Sequence, residues 1–411
     1  MRQIYLFVIQ FYGLGIRIAS LFNKKAKKWV LGRKFLFSRL EKLPIKDEKI
    51  AWFHAASLGE FEQGRPVIEA FRKHYADYKI LLTFFSPSGY EIRKDYNEAD
   101  YVCYLPLDTA KNAKKFIEIV NPQIVFFIKY EFWYNYLDEL NRKNVPFYIF
   151  STIFRPNQIF FKLYGKWFLD HLKLFGKIFV QNEESYELLI QKSVENVVIA
   201  GDTRFDRVAK IATKAKEFPL IEKFKENLPL VLLGSSWQEE EKLIREYMNS
   251  SDKKVQYIIA PHDVSENHIK TIQNLFNEKV LLYSDATEDN IKTANILIID
   301  CVGILSGLYR YADIAFIGGG FGKGIHNILE ALTFGVPVLF GTNYQKFQEA
   351  KDVLANGGGK SIQNFAELKN ELDNLLDNSS KLQTAKLICK EYISEKQGAT
   401  NIIMNHLTQH E

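Results

Sequence analysis

Residues 50–85 read IAWFHAASLGEFEQGRPVIEAFRKHYADYKILLTFF. Ile50–Phe53 and Ile80–Phe85 are short apolar runs of strand length, and Glu60–His74 between them carries apolar residues at helical spacing. Strand, helix and second strand make a βαβ unit. Strands this apolar belong to a parallel sheet covered on both faces. The same alternation extends outward through Tyr101–Leu105, Ile124–Ile128, Phe147–Phe150, Ile178–Val180 and Val197–Ile199. Around Val208–Asn227 Lys and Glu dominate, and this stretch is the candidate linker. A second series follows: Leu230–Leu233, Tyr257–Ile259, Val280–Tyr283, Ile296–Ile299, Ile314–Ile317 and Val338–Phe340. Leu/Ile-spaced helical segments run from Phe365 to about Leu407. The expected fold class is α/β, with two doubly wound domains facing across a cleft. Their expected extents are 31–210 and 211–411, behind an N-terminal segment 1–30.

The chain has 411 residues, 47% hydrophobic and 25% charged, which excludes a disordered chain and a small disulfide-stapled module. Cys103, Cys301 and Cys389 are far apart and form no CxxC pair, which fits a reducing compartment without a structural zinc site. The net charge of +5 is unevenly placed. Residues 1–34 hold eight Lys and Arg and no acid, so the remaining 377 residues carry −3. A slightly acidic body argues against a nucleic-acid surface. Ile4–Phe22 is apolar except for Arg17, and Lys24, Lys25, Lys27 and Lys28 follow it directly. An apolar run beside a basic collar is expected to anchor the chain to an anionic leaflet, spanning it or lying in its interface. The body would then be cytoplasmic.

Five loops that follow expected strands carry candidate residues. His54-Ala55-Ala56-Ser57-Leu58-Gly59-Glu60 joins a strand to a helix through small residues. Glu60 there is either a first-turn acid complementing the helix dipole or a carboxylate available as general base. Lys129-Tyr130-Glu131-Phe132-Trp133 follows another strand and makes Glu131 a second candidate carboxylate. In the second series, Gly234-Ser235-Ser236-Trp237 and Ala260-Pro261-His262-Asp263 occupy corresponding positions. Gly318–Gly324 holds five glycines in seven residues before His326, Asn327 and Glu330. Glycine at that density fits close approach of a ligand to backbone. His326 and Asn327 are expected at a helix N-terminus that can meet a phosphate, and Glu330 one turn on can accept both hydroxyls of a ribose. The glycines match neither a Walker A loop nor a dinucleotide fingerprint.

Taken in order, these blocks resemble the 3-deoxy-D-manno-octulosonic acid (Kdo) transferases of lipid A biosynthesis. So do Gly32-Arg33-Lys34, Ser86-Pro87-Ser88-Gly89, Tyr104–Asp108, Glu131–Asn135, Gly201–Asp206 and Ala312-Asp313. The resemblance implies GT-B architecture, two Rossmann-like domains with an interdomain cleft. It implies an inverting enzyme that transfers Kdo from CMP-Kdo to a lipid A precursor at the cytoplasmic face of the inner membrane. No cofactor, metal or nucleic acid is expected. Glu60 looks like the catalytic base, with Glu131 on the same rim. Ser235, Ser236, His262, Gly319, Gly320, Lys323, His326, Asn327 and Glu330 would hold the CMP-sugar. Ser57, Gly59, Arg33 and Lys34 would meet the acceptor. The chain departs from the family's Pro-Arg-His at Pro261-His262-Asp263, which leaves His262 or Lys323 to stand in for that arginine. Lys129 replaces a family acid, and Tyr134 a family proline. Two other readings stay open on the residues alone. One is another GT-B transferase using a UDP- or CMP-sugar, and the other a nucleotide-binding α/β protein without transfer chemistry.

Overall fold

A computed structural model describes residues 1–214, 216–276 and 280–408. The chain divides into two compact units, 1–207 with 397–411, and 208–396.

The first unit is built on seven strands: β1 (Lys49–Ala55), β2 (Tyr78–Phe84), β3 (Tyr101–Tyr104), β4 (Ile124–Ile128), β5 (Phe147–Thr152), β6 (Lys177–Val180) and β7 (Val197–Ile199). They pair in the order β3-β2-β1-β4-β5-β6-β7, every pair parallel. Both faces are covered. Trp52, Phe116, Phe127 and Tyr136 pack on one side, and Phe53, Phe61, Phe71 and Phe126 on the other. This explains why the strands read as unbroken apolar runs.

The second unit repeats the plan with β8 (Leu230–Ser236), β9 (Gln256–Pro261), β10 (Val280–Leu282), β11 (Ile296–Ile298), β12 (Ile314–Ile317), β13 (Val338–Gly341) and β14 (Gly359–Ile362). Its order is β10-β11-β9-β8-β12-β13-β14, again all parallel. In such sheets the strand order reverses at one place, and ligands bind outside the carboxyl ends of the strands there. The reversal lies between β1 and β4 in the first unit and between β8 and β12 in the second.

Two boundaries differ from those read in the sequence. The candidate linker is mostly helical, because Lys and Glu are strong helix formers and Ile221 and Phe224 give the Pro219–Lys225 helix a buried face. The last helix, Ala399–Thr408, packs with the first unit rather than the second. Ile403, Met404 and Leu407 join the core around Phe61 and Val67, and Asp206 accepts the N–H groups of Gly398 (2.6 Å) and Thr400 (2.7 Å).

The N-terminal segment forms α1 (Arg2–Ala19) and α2 (Lys24–Arg33), bent by 117° from one another. Among the described residues no single helix is long and apolar enough to cross a membrane. One face of α1 is seated on the first unit. Ile9 and Gly13 are buried, and a Cβ on Gly13 would stand 2.6 Å from Leu107. The Tyr5 hydroxyl donates to Asp108, which is fully buried and also accepts the N–H groups of Asn135 and Tyr136 at 3.2 Å each. The other face leaves Ile4, Phe7, Val8, Phe11, Leu14 and Ile18 exposed.

Burial pushes the Asp108 carboxyl up to about 6. A raised carboxyl pKa means that the folded chain holds the proton more tightly than the unfolded one. Ionisation of Asp108 therefore costs stability as pH rises from about 4 to about 6. The expected result is that Asp108→Asn gains on the wild type across that window, by about 3 kcal/mol, and stays level with it above. Denaturant titrations of both proteins at pH 4, 5 and 7 check this.

Candidate active site

Two loops flank the reversal point of the first sheet. The last residue but one of β1 is His54, whose ring is fully buried. Its Nδ1 lies 2.8 Å from the Thr83 hydroxyl, and its Nε2 lies 3.0 Å from Glu131 Oε2. Trp133 donates its indole N–H to the same oxygen at 2.6 Å. Glu131 is buried and held by these two partners, so it fixes the loop after β4 rather than offering an open base. A carboxylate bonded on two sides in a dry site is a rigid element.

Glu60 is placed differently. It stands in the first turn of the Leu58–His74 helix, half-exposed, with the Ser57 hydroxyl donating to it. The Lys129 ammonium lies 4.0 Å away. Lys129 sits at φ 72°, in the left-handed region that a lysine adopts only under constraint from its surroundings. Its backbone N–H is tied to the Phe150 carbonyl at 2.8 Å. The sequence reading did not place this lysine beside Glu60, because the contact joins the loops after two different strands. Gly59 is open on its Cβ side.

Arg33 is not available to an acceptor. Its guanidinium donates to the carbonyls of Leu105 (2.8 Å), Phe85 (2.7 Å) and Trp29 (3.2 Å), and it lies over the rings of Trp29, Tyr104 and Phe85. It fastens α2 to the sheet. Lys34, its neighbour, is exposed.

In the second unit, the loop after β12 packs backbone against backbone on the ends of β8 and β13, beside the loop that follows β8. A Cβ on Gly318 would fall 2.0 Å from the Ser235 carbonyl oxygen, and one on Gly320 would fall 2.4 Å from the Gly341 nitrogen. Gly318, Gly319 and Gly320 are buried. The glycine density therefore serves close packing within the unit, and Gly319 and Gly320 do not face outward as donor contacts. Glu240 ties the two loops together. It accepts the Trp237 N–H at 3.0 Å and the Gly319 N–H at 2.9 Å. Its neighbour Glu241 accepts the Ser236 hydroxyl at 2.9 Å and faces His268 at 3.1 Å. Ser236 is thus buried and committed to Glu241, not open to a phosphate. Burial pushes both carboxyls above their ordinary range. Neither glutamate stands out in the sequence, where Gln238–Glu241 reads as an ordinary acidic helix start.

The exposed parts of this rim are Ser235, at φ 53°, together with Trp237, His262, Lys323 and Asn327. The His262 ring stacks on both Trp237 (4.7 Å between centroids) and His326 (4.5 Å), and Trp237 Nε1–H donates to His326 Nε2 at 3.2 Å. Burial, and then His262, push the His326 imidazole down, so it stays neutral and accepts that bond. Asn327 donates to Glu330 at 3.0 Å. The helix expected to begin at His326 runs only from Leu329 to Leu332. Four residues form one turn, so its dipole contributes little, and side chains rather than a helix terminus present the polar groups here.

Two doubly wound parallel units, each with polar loops at its reversal point, have the architecture of the GT-B glycosyltransferases. UDP-GlcNAc 2-epimerase from Neisseria meningitidis shares the fold, with TM-score 0.61 and 17% identity over 88% of this chain and 100% of that one. Residues 31–207 match the family model of the 3-deoxy-D-manno-octulosonic-acid transferases (kdotransferases). A 3-deoxy-D-manno-octulosonic acid transferase of Aquifex aeolicus is 28% identical over 337 residues, 79% of this chain and 85% of the relative. A bifunctional glycosyltransferase/methyltransferase of Fusobacterium nucleatum is 27% identical over 396 residues, 89% of this chain, and the chain spans 59% of that relative's length. Over residues 31–207 the chain thus resembles the kdotransferases, and along most of its length it is similar to proteins named 3-deoxy-D-manno-octulosonic acid transferase.

Proposed function

We propose that this protein transfers Kdo from CMP-Kdo to a hydroxyl of a lipid A precursor, with inversion and release of CMP. The observation that carries the reading is Glu60: a half-exposed carboxylate at the reversal point of the first sheet, with a lysine beside it. The acceptor oxygen attacks the anomeric carbon as the bond from that carbon to the phosphate oxygen breaks. CMP leaves with the electron pair, and Glu60 takes the acceptor's proton. One base opposite the leaving group suffices for inversion, without a covalent intermediate. Ser235, His262, Lys323, Asn327 and Glu330 are the groups of the second unit suited to the donor. Glu330 with Asn327 suits ribose hydroxyls, and His262 and Lys323 suit the anionic phosphate and carboxylate. Ser57, Gly59 and Lys34 remain the candidates to meet the acceptor.

The test is incubation with CMP-Kdo and a tetra-acylated lipid A precursor. CMP release with a mass gain of one or more Kdo on the lipid is expected. Binding of CMP without turnover would favour a non-catalytic nucleotide-binding protein, and turnover only with another nucleotide sugar would point to a different transferase.

The acceptor is a lipid, and the exposed row on α1 suits a seat in the cytoplasmic leaflet of the inner membrane. Phe7 and Phe11 pack ring to ring at 4.2 Å on that face, and Leu21 and Phe22 extend it. Lys24, Lys25 and Lys27 are exposed beside it, where each contributes about 1 kcal/mol toward anionic headgroups, while Lys28 is paired with Glu91 at 3.1 Å. Burying one Phe contributes about 1.5–3 kcal/mol. The double change Phe7→Asp with Phe11→Asp is therefore expected to weaken binding to anionic vesicles at least about 100-fold, read by co-sedimentation.

A further inference from the structure

α1 touches more than the surface of its unit. Two separate routes of contact lead from it to the loop after β4. The first begins at Tyr5, whose hydroxyl donates to Asp108 and whose ring stands edge-on to Tyr134 at 4.8 Å. Asp108 in turn receives the N–H groups of Asn135 and Tyr136 in the first turn of the Tyr134–Arg142 helix, and the Asn135 amide returns to the Asp108 carbonyl at 2.7 Å. The second begins at Tyr12, whose ring lies 5.8 Å from Phe85. Phe85 stacks on Trp133 at 4.6 Å, and Trp133 holds Glu131, which holds His54. Both routes end on residues 131–136, a continuous segment that begins two residues after Lys129. An exposed apolar helix that served only as a tether would need neither a fully buried carboxylate nor an aromatic chain to reach that segment.

We propose that Tyr5 and Tyr12 are positioning residues of the catalytic rim, through which the seating of α1 on a lipid surface sets the geometry of the segment from Lys129 to Tyr136. The proposal rests on the reading of Glu60 as the base, because that segment carries the cation beside it. A helix whose outer face is seated in a bilayer has less freedom to rock on its unit, and its inner face carries Tyr5. The loop at the reversal point is then better ordered when lipid is present, and turnover responds to a membrane even when the acceptor is not embedded in one.

The test uses the full chain, CMP-Kdo and a deacylated, water-soluble acceptor, with and without anionic vesicles. Wild type is expected to turn over faster when vesicles are added. Tyr5→Phe keeps the ring on Tyr134 and removes only the bond to Asp108. It is expected to lower kcat on the soluble acceptor about five- to tenfold and to blunt the vesicle response, with CMP affinity and vesicle co-sedimentation unchanged. Tyr12→Leu, on the other route, is expected to act in the same direction. A merely structural role would lower thermal stability without touching the vesicle response. If Tyr5→Phe unfolds, Tyr12→Leu, which leaves the bonds of Asp108 in place, is read instead. Wild-type kcat and an unchanged vesicle response in both variants would overturn the proposal. An inactive wild type would overturn the transferase reading instead, and the two failures are distinct.

Discussion

Glu60→Gln is expected to lower turnover by about 10²–10⁴ while leaving the fold in place. The two roles open to this carboxylate make different demands. As a first-turn acid it favours the helix dipole, a contribution of about 0.3–1 kcal/mol that the neutral amide loses with little consequence. As the base it must accept a proton from the attacking hydroxyl, which an amide of the same shape cannot do. The Ser57 hydroxyl still has an oxygen to bond, and Lys129 loses a partner 4.0 Å away at a half-exposed site. Thermal stability within a few degrees of wild type, together with collapsed turnover and unchanged CMP affinity, is the expected pattern. Turnover within a few-fold of wild type would assign the base elsewhere. Glu131→Gln gives the contrasting case. Its carboxylate is buried against His54 and Trp133, so that change is expected to disturb the loop and the stability of the first unit together.

The second large effect is expected at Gly318. An alanine there places its Cβ 2.0 Å from the Ser235 carbonyl oxygen, 2.7 Å from the Ser235 carbonyl carbon and 2.8 Å from Ser236 Cα. These are backbone atoms with nowhere to retreat. Gly318 also donates to the Gly234 carbonyl at 2.9 Å, and its own carbonyl accepts from His326 at 3.0 Å. The loop after β12 must therefore pull away from the end of β8, and the bonds of Glu240 to Trp237 and Gly319 are strained with it. A loss of about 3 kcal/mol in the second unit and at least tenfold in CMP affinity is expected, read by calorimetric titration with CMP. Gly322→Ala, four residues on, meets only the Gly319 carbonyl oxygen at 3.7 Å, an ordinary contact, and is expected to bind CMP as wild type does. If both alanines behaved alike, the packing account of the glycine loop would be wrong.

Thirteen of the strands are legible because parallel sheets covered on both faces leave unbroken apolar runs, as in Ile124–Ile128 or Ile314–Ile317. β14 escaped because it is an edge strand: Gly359, Lys360 and Ser361 are not buried, and only Ile362 reaches the core. The candidate site is legible in position but less so in use. The loops after β1, β4, β8 and β12 do flank the two reversal points. Within them, spacing could not separate Glu60, half-exposed, from Glu131, bonded on two sides, since the partners of Glu131 come from β1 and from Trp133. Nor could it tell that Arg33 closes on three carbonyls, that Ser236 turns inward to Glu241, or that Glu240 bridges two loops 79 positions apart. Local pattern reports on neighbours along the chain, and each of these contacts is made across it.

The Ala399–Thr408 helix has a consequence for biosynthesis. It seals the core of the first unit around Phe61 and Val67, yet the ribosome delivers it only after the entire second unit has emerged. The half that is synthesised first is thus the last to be completed. Until residues 399–408 arrive, the apolar surface they cover stays open to solvent. A nascent chain stalled before that point would carry a finished guest inside an unfinished host, and would be a natural client for chaperones.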